Sequence, residues 1–142
     1  MNNFIEILTE CRLFLGVDRD NLFKMIGCLG AKTKKFTKDQ FILSEGNEAK
    51  YIGVVLSGEA QIIRTDLFGN RTILARVVPS QLFGESFACA DMKSIPINVV
   101  ATSDCEVMLI DAKRITQTCN GACAFHSKMI YNLLKVVAEK NI

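Results

Sequence analysis

LFGESFACADMKSIPINVVATSDCEVMLI, residues 82–110, is the stretch on which the reading of this chain turns. It opens on a tight Gly84-Glu85 pair and passes through small residues from Ser86 to Ala90. After a polar break come two strand-like segments, Pro96 to Ala101 and Cys105 to Ile110. A Gly-Glu turn feeding a one-turn helix leaves several backbone N–H groups unpaired and pointing one way. Those donors and the local dipole favour negative charge. A strand–glycine–helix–strand insert in a β-rich chain is therefore a candidate pocket for a phosphate or carboxylate. A surface excursion between strands, with no ligand, is the alternative that the local pattern leaves open.

Upstream, Phe4, Ile5 and Leu8 stand at helical spacing. Asp18 is a candidate N-cap for a second helix with Leu22, Phe23 and Ile26 as its apolar stripe, ended by Gly27 and Gly30. From Ala31 the period changes to two. Strands are predicted at Lys32–Phe36, Phe41–Leu43, Tyr51–Ser57, Ala60–Thr65 and Arg71–Val78, with Asp66-Leu67-Phe68-Gly69-Asn70 as a hairpin loop. Short strands with turn signals about every ten residues imply an all-β sandwich or barrel.

Downstream of Ile110 the period is helical again. Asp111 caps a short turn from Ala112 to Thr118, Asn120-Gly121 interrupts, and residues 121–140 read as one helix of about five turns. Ile115, Cys119, Ala122, His126, Met129, Leu133 and Val136 follow alternating steps of four and three, widened by Ile130, Leu134 and Val137. One flank of so broad a stripe is expected to cover the roll. The rest is expected to form a parallel seam with a second copy, through Ala122, His126, Met129, Ile130, Leu133, Val136 and Val137. The alternative is that both flanks bury on the same roll. Because the chain stops at Asn141-Ile142 with that helix barely complete, a fragment of a longer protein is expected.

The 142 residues are one domain's worth, divided as helices in 1–30, the β region with its helical insert at 84–90 in 31–111, and helices in 112–142. A net charge of +2 is too small an excess for a nucleic-acid surface, and Lys32, Lys34, Lys35 and Lys38 read as the solvated face of a strand. No apolar run reaches the ~18 residues of a membrane span. The N-terminus carries Glu6 and Glu10 and no basic region, so it is not read as a secretory signal; a cytoplasmic protein without membrane contact is expected. Six cysteines without a CxxC spacing are read as free thiols.

Gly46 within SEGNEAKYIGVVLSGEA, Gly58, the DLFGN hairpin, Phe83-Gly84-Glu85 and the closing ATSDCEVMLI stand in an order that resembles the sensory domain of the cyclic-AMP receptor/FNR (Crp/Fnr) family of bacterial transcription regulators. The resemblance spans essentially the whole chain. It implies a mainly β fold with flanking helices: a double-stranded β-helix of the jelly-roll or cupin-like type, short N-terminal helices and a long C-terminal dimerisation helix. It also implies a homodimer whose DNA contacts belong to a helix-turn-helix domain absent from these residues. Ligand binding in the roll would shift the packing of residues 121–140 across the dimer.

Family members that bind cyclic AMP place its phosphate on the Gly-Glu helix N-terminus, with the Glu on the ribose hydroxyl, and clamp the phosphate with an Arg followed by Ser or Thr. Gly84, Glu85 and Ser86 match the first part, beside Phe87. Counting without a gap to Ala101, the clamp positions are Ile95 and Pro96. These are apolar, and proline lacks an N–H. A small anionic effector other than cyclic AMP is therefore expected. Lys93 is near in sequence, and Arg76 is a candidate to reach the pocket from the roll. The alternative is a stand-alone cyclic-nucleotide-binding module without a DNA head.

No enzyme is expected. A cupin-type metal site needs two or three histidines on facing strands, and the single histidine, His126, lies on the terminal helix. Cys119, Cys123 and His126 share one helix face, readable as a metal or redox site across a dimer or as a small-residue packing seam. The clustered N-terminal cysteines that hold an iron–sulfur cluster in the FNR branch are not matched by Cys11 and Cys28. Glu85 also has a purely structural reading, capping its helix.

Overall fold

The change of period at Ala31 is where helices give way to strands. The computed structural model describes residues 4–89, 92–116 and 126–140. Before the change come α1 (Ile5–Glu10), a 3₁₀ turn (Arg12–Phe14) and α2 (Arg19–Leu29). Asp18 caps α2 by accepting the Asn21 N–H at 3.0 Å, and Gly30, left-handed at φ 63°, closes it. Gly27 lies inside the helix instead of ending it. Phe23, expected in the buried stripe, is 51% exposed. Leu22, Met25, Ile26 and Leu29 form the inner face at i, i+3, i+4 and i+7, and position 23 lies off that line.

The strands are β1 (Lys32–Phe36), β2 (Phe41–Leu43), β3 (Tyr51–Ser57), β4 (Ala60–Thr65), β5 (Arg71–Val77), β6 (Leu82–Phe83), β7 (Asn98–Ala101) and β8 (Cys105–Asp111). They form two four-stranded sheets, ordered β1-β8-β3-β6 and β2-β7-β4-β5, with antiparallel pairing throughout. This is the expected jelly roll. The β4–β5 hairpin turns where expected, with Asp66 accepting from the N–H groups of Phe68 at 2.8 Å and Asn70 at 2.9 Å. Those bonds, that of Asn70 foremost, hold the Asp66 carboxyl below its ordinary range.

Strands β3 and β8 read as continuous apolar runs because both their faces are covered. Alternation sends Ile52, Val54 and Leu56, with Met108 and Ile110, into one core with the helices. Val55, with Val107 and Leu109, goes to the other core, between the sheets. The connections are α3 (Glu85–Cys89), α4 (Ala112–Thr116) and α5 (His126–Lys140). Asp111 accepts the Lys113 N–H at 3.0 Å and so starts α4, as its position suggests.

Helix α5 lies along the 3₁₀ turn, and three of the residues expected in a seam are buried within the chain itself. Met129, Leu133 and Val136 are 1%, 5% and 4% exposed, buried in the chain's own helical core, with Ile130 and Val137 packed at its edge. The spacing correctly defined one helix face, but the N-terminal helices cover that face. Tyr131 and Leu134 point outward instead. Ala122, Cys119 and Cys123 lie outside the described residues, as does the side chain of His126. Asn132, buried among these apolar neighbours, donates its amide to the carbonyls of Leu13 at 3.0 Å and Leu15 at 2.9 Å.

Candidate functional site

The turn expected to receive an anion is present. Gly84 has φ 78°, and a Cβ there would stand 3.1 Å from the Tyr51 carbonyl, so the position needs glycine on both counts. Glu85 begins α3 and is 1% exposed. Phe87 is partly buried against the inter-sheet core, and the side chain of Ser86 lies outside the described residues. Opposite, the Gly46 N–H donates to the Ile95 carbonyl at 2.9 Å and the Ile95 N–H to Asn47 at 2.8 Å. Buried Asn98 accepts the Glu45 N–H at 2.6 Å. These bonds fix the 95–98 segment across the 45–47 turn. Ile95, only 3% exposed, belongs to the same apolar cluster as Phe83, Ile97 and Val99. The side chains around Ile95 in that cluster are apolar, with Asn98 a buried polar neighbour along the segment.

Cys11 is fully buried in the helical core. Burial is the largest cause pushing that thiol from 9.0 up to about 11; the Glu85 carboxylate adds to the rise, while the N–H groups of Leu13 and Phe14 oppose it. The folded chain therefore holds this proton where the unfolded chain has released it. Stability is expected to be complete below pH 9 and to fall between about 9 and about 11, and Cys11→Val should remove that portion of the decline. Urea titrations of both chains across this range measure it.

Arg76 is engaged on the roll itself. It takes Glu59 in a two-pronged pair, Nε to Oε1 at 2.6 Å and Nη2 to Oε2 at 3.0 Å. That bonding, more than Coulombic attraction, draws the Glu59 carboxyl below its ordinary range and raises Arg76. Arg76 lines a cavity of about 380 Å³ together with Ile62 of β4, Ala75 and Val77 of β5, and the 80–82 turn. Glu10 of α1, Arg12 of the 3₁₀ turn and Val136 of α5 also line it. Gly84, Glu85, Ile95 and Pro96 are not among its lining residues. Arg12 in turn pairs with Glu139 of α5. The cavity's turn is held rigidly: Ser80 has φ 77° and donates its N–H to Val55 at 2.8 Å, and Gln81 Oε1 accepts the Val78 N–H at 3.0 Å. Sequence reading missed Arg12, Glu139 and Asn132, whose partners are remote along the chain. A lone polar residue, Asn132, on the apolar side of a terminal helix was the available signal.

Lys93 borders a different hollow with Lys50 and Lys113, in which Lys50 and Asp111 stand 3.8 Å apart. Among the described residues no helix is long and apolar enough to cross a membrane.

Two antiparallel sheets forming a roll, a Gly-Glu helical insert and a terminal helix packed against the N-terminal 3₁₀ turn define the architecture. The chain belongs to the cyclic nucleotide-binding domain family, whose sequence profile matches residues 33–121, well over half of it. No curated protein sequence matches the chain. Solved structures share its fold. The sensor domain of the transcriptional regulator DNR from Pseudomonas aeruginosa superposes with a TM-score of 0.79 at 15% identity, covering 98% of this chain and 89% of that one. The catabolite activator protein of Thermus thermophilus gives 0.76 at 21% identity, covering 91% of this chain and 57% of that one. The N-terminal domain of a transcriptional regulator from Streptomyces coelicolor gives 0.72 at 19% identity over 94% and 91%. The fold is thus that of the sensory domains of Crp/Fnr-type regulators, the family resemblance found in the sequence.

Proposed function

We propose that this chain is the ligand-sensing and dimerising domain of a Crp/Fnr-type transcription regulator, with an effector other than cyclic AMP. One observation supports the exclusion: Ile95, which a gap-free count from Gly84-Glu85 to Ala101 puts at the clamp position, is 3% exposed within the inter-sheet core. A phosphate placed there would meet hydrocarbon and, at Pro96, a backbone without an N–H. The missing charge-assisted pair is worth a hundredfold or more in affinity, on the order of 3 kcal/mol. Calorimetric titration of the folded chain with cyclic AMP is expected to show no saturable binding in the micromolar range. A micromolar dissociation constant would overturn the exclusion and favour a cyclic-nucleotide-binding module.

The output of such a domain is the position of α5, which in a whole regulator leads to the DNA-binding head. Dimerisation is assigned to the outward face of α5, where Tyr131 is 57% and Leu134 66% exposed. Sedimentation of the chain and of Leu134→Glu tests it: a dimer for the first and a monomer for the second support the assignment, and unchanged sedimentation opposes it.

A further inference from the structure

We infer that the cavity between β5, the 80–82 turn, the 3₁₀ turn and α5 binds a small organic anion, an apolar body bearing a carboxylate or phosphate, and that this anion displaces Glu139 from Arg12. The inference rests on the sensing-domain reading and names the effector class and its seat.

Three observations converge. The space, about 380 Å³, suits a molecule of one or two rings. Val77, Leu82 and Val136 give it a hydrocarbon wall and are each almost wholly buried. Two arginines from chain segments far apart, Arg12 and Arg76, both line it. Arg76 commits only Nε and Nη2 to Glu59, which leaves Nη1 with its two N–H donors for a further acceptor. Arg12 is held through Nη2 by Glu139, in a pair whose side chains are 53% and 38% exposed. An ion pair that open to water is weak, so a ligand anion that also gains the apolar wall competes with it successfully. Glu10 on the rim carries the opposite charge, and it disfavours ligands with a second anionic group pointing that way.

The exchange has a consequence for the helix. Glu139 and Val136 are both on α5, so the anion removes one tether of the helix while touching the helix itself. Occupancy and the seating of α5 are then linked, and the linkage is reciprocal.

The test is an amide NMR titration of the folded chain with phenyl phosphate, benzoate and neutral benzyl alcohol, with cyclic AMP run in parallel. Phenyl phosphate or benzoate should shift amides of residues 75–82, 10–13 and 136–139 saturably, and benzyl alcohol should bind at least tenfold more weakly. Arg12→Gln and Arg76→Gln should each weaken the anion about tenfold. Glu139→Gln, which removes the competitor, should tighten it severalfold. Both arginines are largely exposed, so their variants should keep the wild-type fold, as their amide spectra will show. Affinity unchanged in the two arginine variants, anion shifts confined to residues 84–97, or no shift with either anion overturns the cavity assignment. Shifts at residues 84–97 with cyclic AMP count against the exclusion of that nucleotide alone, so the two readings fail separately.

Discussion

Gly53→Ala is expected to destabilise the chain by about 3 kcal/mol, at the upper end of the range for overpacking a close-fitted core. Gly53 lies in β3 directly across from Phe83 in β6, and a Cβ there would fall within the Phe83 ring. The ring has nowhere to go: Phe83 is wholly buried in the inter-sheet cluster with Val55, Ile95 and Ile97. Its backbone cannot shift freely either, because Gly84 follows at once in its left-handed turn. The urea midpoint should fall while the slope stays constant, since the surface exposed on unfolding is nearly the same. Phe83→Leu in the Gly53→Ala background should recover part of the loss, and the double-mutant cycle isolates the clash from the lost ring packing. An unchanged midpoint for Gly53→Ala would refute the close packing of the roll's interior, and with it the argument that a phosphate has no room beside Ile95.

Asn132→Leu should cost about 2 kcal/mol and loosen α5 before the sheets. Leucine keeps the branched outline of asparagine in a larger side chain, so the cost combines the lost pair of bonds to the Leu13 and Leu15 carbonyls with mild overpacking. Leu13 is wholly buried, and its carbonyl would be left without that donor, whereas Leu15 is 45% exposed and its carbonyl can turn to water. One full desolvation penalty and one partial one set the magnitude. Hydrogen exchange should quicken at α5 amides and remain slow in β3 and β8, which are buried on both faces. Equal acceleration everywhere would mean that α5 has no separate opening. Helix α5 would then be a poor output element for a sensor, because a ligand must find two seatings of the helix to choose between.

Elements set by a few neighbouring residues could be read directly from the chain. Asp18 and Asp111 cap helices, Gly30 ends one, and the Asp66–Asn70 loop turns the β4–β5 hairpin, each through bonds that reach no more than four residues. Strands β1 to β5, β7 and β8 were legible because alternation and β-branched runs are local signals, even where both faces are covered. So was the Gly84-Glu85 turn, whose backbone conformation only glycine adopts cheaply.

What escaped was set by partners distant in sequence. Strand β6 has two residues, too few for a period, and exists because Gly53 and Val54 offer it an edge. The stripe on α5 showed that a face is buried, but a stripe carries no information on what buries it, and Met129, Leu133 and Val136 are buried in a core shared with the N-terminal helices. The pairing of Arg12 with Glu139 and the meeting of Arg12 with Arg76 likewise follow from tertiary closure. The amino-acid sequence by itself determined a β sandwich or barrel flanked by helices, with its corners, because short-range bonding and hydrophobic period are written into neighbouring residues. The tertiary structure alone decided which charges share a cavity and which face of α5 is free, because those depend on contacts that form only when the ends of the chain are brought together.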